Sequence, residues 1–86
     1  MKAMKELPNG KIENPADLGK IVKDKRTRDR LTQMDTAALC EVGNRFLSEL
    51  ENGKPTVQLG KTMQVLKCLG LEIRVVPRGW PGDTRQ

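Results

Sequence analysis

The chain has 86 residues, with 16 Lys and Arg against 11 Asp and Glu, a net charge of +5 and 36% hydrophobic residues. That length suits one domain with a modest core that gains from a second copy; it holds no apolar run near a membrane span, and its opening, MKAMKELPNGK, lacks the apolar stretch of a secretory leader. With no histidine, no Ser-His or Cys-His pair and no CxxC, an enzyme, a metal site and a cofactor have nothing to build on, while the positive surplus points to a polyanionic partner.

Residues 1–13 mix Lys, Pro, Asn and Gly without a period and read as a flexible basic arm. It is either a plain terminus or an arm that touches DNA phosphates. Asn14-Pro15-Ala16-Asp17 then starts a helix: Asn14 caps, Pro15 takes the first position, and Asp17 suits the positive end of the dipole. Leu18, Ile21 and Val22 share one face of it. The outer face sets Lys20, Lys23, Lys25, Arg26, Arg28 and Arg30 against Asp24 and Asp29. Such a run fits a solvated face and proximity to phosphates equally well.

The next stretch, LTQMDTAALCEVGNRFLSELENGK from Leu31 to Lys54, parses as a short helix, a tight turn and a second helix. Thr32 suits the N-cap of the first. Ala37, Ala38, Leu39 and Cys40 supply packing positions, and Val42 closes the turn into the core. Gly43 and Asn44 open the second helix, Leu47 and Leu50 give it a buried stripe, and Gly53 stops it. Two short helices at this distance, the second polar near its start, make a helix-turn-helix.

Those residues carry a family resemblance. LTQ, Ala37, Leu39, Val42, Leu47, Ser48 and the run LENGK stand at the spacing of the Cro/phage-repressor (Xre) helix-turn-helix family. The continuation, RFLSELENGKPTVQLGKTMQVLKCLGLEI, resembles its HipB-like branch, antitoxins partnered with HipA-type kinase toxins. The likeness covers roughly residues 17–77. It implies an ion pair between Arg26 and Glu51, tying the first helix to the end of the recognition helix. Two positions depart from the pattern. Arg30 and Glu41 stand where the family usually has Gly, at a cost of about 1 kcal/mol or more if left-handed, which puts both local turns at issue.

After Lys54-Pro55 a further helix runs from about residue 57 or 58 to 69, with Leu59, Met63, Leu66 and Leu69 as its core stripe and Gly70 as its stop. Cys40 and Cys68 fall at apolar helical positions and read as small buried thiols in a reducing cytoplasm. Residues 71–77 alternate apolar and polar, a strand with no partner elsewhere in the sequence. Leu71, Ile73 and Val75 are therefore expected to pair with the same strand of a second copy. Residues 78–86 read as a disordered tail that carries the single Trp of the chain. Trp80 is either an anchor for a partner protein or folds back onto its own dimer.

The expected architecture is all-α: a compact four- to five-helix, lambda-repressor-like helix-turn-helix domain over residues 14–70, with a short C-terminal β-strand at 71–77 pairing in a homodimer. The resemblance places base reading on Asn44, Arg45 and Glu49. Their chemistry suits adenine N6 and N7, guanine O6 and N7, and cytosine N4 respectively. It places phosphate contacts on Thr32, Gln33, Gly43, Ser48, Asn52 and Lys54; Phe46 is open between packing on Leu50 and a thymine methyl. The function implied is a dimeric cytoplasmic, nucleoid-associated repressor on inverted-repeat operator DNA, which is also the antitoxin of a HipA-like kinase and represses its own operon. A stand-alone phage-type repressor and a protein-interaction module without DNA binding are the alternatives.

Overall fold

The computed structural model describes residues 10–78, so the residue 1–9 part of the basic arm, and Trp80 with most of the tail, lie outside the described residues. Four helices follow one another: α1 (Pro15–Arg28), α2 (Gln33–Cys40), α3 (Asn44–Glu51) and α4 (Leu59–Cys68). The first two begin on side-chain caps. Asn14 accepts from the Asp17 N–H at 2.9 Å, and Pro15 fills a position that needs no donor. Thr32 accepts from the Asp35 N–H at 3.0 Å while the Asp35 carboxylate accepts from the Thr32 N–H at 3.4 Å, a reciprocal capping box. Neither α3, after Gly43, nor α4, after Gln58, has a side-chain cap.

All four helices end in one way. A single left-handed residue follows each: Arg30 (φ 60), Glu41 (φ 59), Gly53 (φ 80) and Gly70 (φ 79). The next N–H then reaches back five residues, Leu31 to Arg26 O at 3.0 Å, Val42 to Ala37 O at 3.0 Å, Lys54 to Glu49 O at 3.0 Å and Leu71 to Leu66 O at 2.8 Å. These are Schellman motifs, which satisfy carbonyls the helix leaves open. Arg30 and Glu41 thus keep the family geometry without the family's glycine. Leu31, Val42 and Leu71 turn back onto the core. After α3 the equivalent residue is Lys54, which is exposed.

Every helix contributes to the core of Val22, Ala37, Cys40, Leu47, Leu50, Val65, Leu66 and Leu69. At α1 and α3 the backbones nearly touch. A Cβ on Gly19 would stand 2.6 Å from Glu51 O and closer still to Leu50 O, so only glycine permits this crossing.

Three expectations need correction. In α2, Leu39 is 61% exposed and Ala38 is exposed, while Thr36 is buried beside Ala37 and Cys40. In α4 the inward face is Thr62, Val65, Leu66 and Leu69, and Leu59 (67% exposed) and Met63 (50%) lie on a second apolar stripe outside it. Two apolar stripes side by side on one helix leave hydropathy unable to choose between them. Cys40 and Cys68 are not separate buried thiols: they form a disulfide with Cα atoms 5.6 Å apart, and Cys68 is exposed. Residues 71–77 carry no strand in the single chain, and there is none among the described residues; the expected pairing with a second copy is not tested by one chain. A strand is defined by its ladder, and the partner it was expected to pair with is another copy.

Candidate nucleic-acid interface

The helix-turn-helix is α2, the Glu41 turn and α3. Its scaffold is a polar knot around Glu51. Arg26 holds that carboxylate in bidentate fashion, Nε to Oε2 at 2.6 Å and Nη2 to Oε1 at 3.0 Å. Arg26 Nη1 also donates to Leu31 O at 2.8 Å, at the end of α1. Gln33 Nε2 donates to Glu51 Oε1 at 2.9 Å. One carboxylate therefore joins α1, the start of α2 and the end of α3. The Glu51 side chain is 2% exposed and that of Arg26 10%, so the pair is desolvated and survives through its complete set of partners. The hydrogen bond to Glu51 raises the Arg26 pKa above its ordinary value, against burial, which lowers it.

With the buried side of α3 fixed in this way, its other side is left outward. Gly43, Asn44 and Arg45 are exposed, and Ser48 and Glu49 half-buried. The Arg45 side chain is 88% exposed. Its Nε meets Glu49 Oε2 at 3.2 Å, one helical turn on, and Lys54 Nζ meets the same oxygen at 3.3 Å. The Schellman bond from Lys54 N–H to Glu49 O is what brings Lys54 back over that turn. Hydrogen bonding from Lys54 first, then attraction to it and the bond and charge of Arg45, hold the Glu49 carboxyl below its ordinary range, against desolvation.

The remaining residues named from the sequence distribute as follows. The Thr32 hydroxyl oxygen accepts within the capping box and keeps its own O–H to donate, and Gln33 gives Glu51 one of its two amide N–H groups. Asn52 and Lys54 are exposed just past α3. Phe46 is half-buried against the core with Lys61 Nζ 5.8 Å from its ring centre. Leu71 is half-buried, while Ile73 is 44% and Val75 94% exposed. Leu71 and Ile73 border an open groove of about 310 Å³ with Met63, Gln64, Leu66 and Lys67.

Two contributors were missed. Gly19 looks like any helical glycine until its neighbour is known. Gln64 donates to Cys40 O at 2.7 Å, fastening α4 to the end of α2. Nothing in the sequence sets it apart from the other polar residues of α4, Lys61, Thr62 and Lys67. Among the described residues no cluster of His, Cys, Asp and Glu could hold a metal, and no helix is long and apolar enough to cross a membrane.

No family model matches this chain. The uncharacterized HTH-type transcriptional regulator y4mF of Sinorhizobium fredii is 42% identical to it over 76 residues, 88% of this chain and 96% of that protein. The chain belongs to the HTH-type transcriptional regulators. The fold of this regulator is similar to that in the HipB–O4 20mer complex, with a TM-score of 0.74 at 23% identity over 81% of this chain and 99% of that one. The HipA–HipB–O2–O3 complex matches with a TM-score of 0.73 at 23% identity over 81% of this chain and 99% of that one. The HipB-like helix-turn-helix fold read from LTQ and LENGK is therefore the fold of this regulator, with four helices.

Proposed function

We propose that this regulator is a homodimeric, sequence-specific repressor of the bacterial cytoplasm that reads an inverted-repeat operator at the nucleoid, and that it is the antitoxin of a HipA-like kinase. The observation that carries the DNA reading is the outward face of α3. Asn44 and Arg45 stand exposed on its first turn with Glu49 behind them, on a helix locked from the inside by Arg26 and Glu51. An α-helix presented in this way fits the major groove. Arg45 pairs with guanine O6 and N7, and Asn44 with adenine N6 and N7. The uncapped start at Gly43 leaves backbone N–H groups for a phosphate. Asn52 and Lys54 flank the helix, with Ser48 on it and Thr32 and Gln33 at the start of α2, as the backbone-holding set.

The partner reading is supported by the fold likeness to HipB as it stands in a HipA–HipB–O2–O3 complex. Leu71, Ile73 and Val75 pair two copies, and Trp80 reaches the kinase. Occupied operator blocks transcription of the regulator's own operon.

Fluorescence anisotropy on DNA from the region upstream of its own gene, against shuffled DNA at two salt concentrations, tests the repressor. Tight, salt-sensitive binding that prefers the upstream DNA is expected. No binding even at low salt would leave a protein-interaction module. Affinity capture from the native host tests the partner: a HipA-like kinase is expected with the full chain and lost when residues 78–86 are removed. Capture of no kinase at all, with DNA binding intact, would leave a stand-alone repressor.

A further inference from the structure

Glu49 is suited by its chemistry to accept from cytosine N4, yet its surroundings give it other work. Both cations of the outward face converge on its Oε2, Arg45 Nε at 3.2 Å and Lys54 Nζ at 3.3 Å. Through Nε it grips Arg45 from behind. Among the described residues the terminal nitrogens of Arg45 have no hydrogen-bond partner, and its side chain is 88% exposed. A guanidinium held by Nε keeps its outer edge for a second, planar acceptor pair such as guanine O6 and N7.

Helix stability does not account for this arrangement. A cation in the first turn and an anion in the last oppose the helix dipole, and Arg before Glu is the weaker order of an i,i+4 pair. The third member is equally out of pattern. Where α1, α2 and α4 are followed by Leu31, Val42 and Leu71 on the core, α3 is followed by Lys54 on Glu49.

Resting on the DNA-reading proposal, we infer that Glu49 is a positioning residue for specificity: it aims Arg45 at a guanine and restrains Arg45 and Lys54 from gripping any duplex indiscriminately, and it reads no base itself. A free Arg45 would swing among phosphates and add a sequence-blind contact, and a Lys54 no longer shared with Glu49 would strengthen the one it makes. The Lys54 hydrogen bond, with the bond and charge of Arg45, lowers the Glu49 pKa, in keeping with that geometry.

The test uses a duplex enriched by the full-length protein from a random-sequence library, the same duplex with single base pairs replaced, and unselected random duplex. Glu49→Ala and Glu49→Gln are compared with wild type after their thermal melts are shown to match. Glu49→Ala is expected to bind random duplex more tightly, with a salt slope steeper by about one unit. Its preference for the Arg45-dependent guanine should fall by about ten-fold. Glu49→Gln should keep part of that preference, because the amide oxygen still accepts from Nε, yet share the gain on random duplex. In an Arg45→Ala background, Glu49→Ala should leave base preference unchanged. The inference is overturned if Glu49→Ala relaxes a single C·G position, does so equally without Arg45, and leaves random-duplex affinity alone. Glu49 would then be a cytosine reader. Failure of the wild type to enrich any duplex is a distinct result: it removes the DNA reading and this inference with it.

Discussion

Arg30 and Glu41 hold φ values of 60 and 59, where a side chain crowds the following carbonyl. Gly53 and Gly70 occupy the same place in the other two motifs and carry no such strain. Substituting Glu41→Gly should therefore stabilise the fold by about 1 kcal/mol, the relief being partly offset by the greater freedom of glycine in the unfolded chain. Urea denaturation reads this as a higher midpoint at an unchanged slope. A lower midpoint would mean that the Glu41 side chain makes a contribution larger than its strain. The caps at Asn14 and Thr32 and the stops at Gly53 and Gly70 are legible in the sequence because each residue type suits its backbone. Arg30 and Glu41 are legible only by register against the motif, since nothing in an arginine or a glutamate announces a left-handed turn.

Helix against helix, the decisive contact is the knot at Glu51. Glu51→Ala strands the Arg26 guanidinium in a site where its side chain is 10% exposed, and it also frees Gln33. A loss of about 3–5 kcal/mol is expected, a large share of the stability of a domain this size. Replacing both partners, Arg26→Met with Glu51→Leu, should recover most of it, because no charge is then left unpaired. A double-mutant cycle by thermal denaturation measures the coupling. Additive losses would show that Arg26 and Glu51 stabilise the fold separately. The helices themselves were readable from caps and apolar spacing, as were the inward residues Val22, Leu47 and Leu50, but the faces of α2 and α4 were read only in part. Leu39, Leu59 and Met63 are exposed though their spacing reads as core. Spacing finds an apolar stripe and says nothing about which neighbour covers it. The disulfide escaped for the same reason: 28 residues separate Cys40 from Cys68, and only the packing of α4 on α2 brings them together. Gln64 Nε2, donating to Cys40 O, fastens the same junction beside it.

At the scale of the whole molecule, the proposed DNA reading calls for more than one copy. The eight residues of α3 span only about 12 Å at 1.5 Å per residue, enough to meet a few base pairs. Each correct pair is worth about 1–3 kcal/mol of discrimination, so a single helix cannot reach the specificity that a genome of competing sites demands. In the proposed dimer, two copies on half-sites about 34 Å apart would double the readout without enlarging the domain. The proposed contact is the exposed apolar run after α4, with Val75 at 94% and Ile73 at 44% exposure, Ile73 lining the groove with Met63 and Leu66. A row of apolar residues and unpaired backbone groups is costly to leave in water and suited to pairing with its own copy. Ile73→Asp with Val75→Asp puts like charges across that two-fold. The wild type should sediment as a dimer and the variant as a monomer with the same helical circular dichroism. Affinity for a duplex with two half-sites should fall to that for one half-site. Inserting half a helical turn between the half-sites should produce the same loss in the wild type, by rotating one site to the far side of the duplex. If the variant remained dimeric and bound both half-sites as before, the dimer contact would lie elsewhere, and the exposed Leu59 stripe of α4 would be the surface to substitute next.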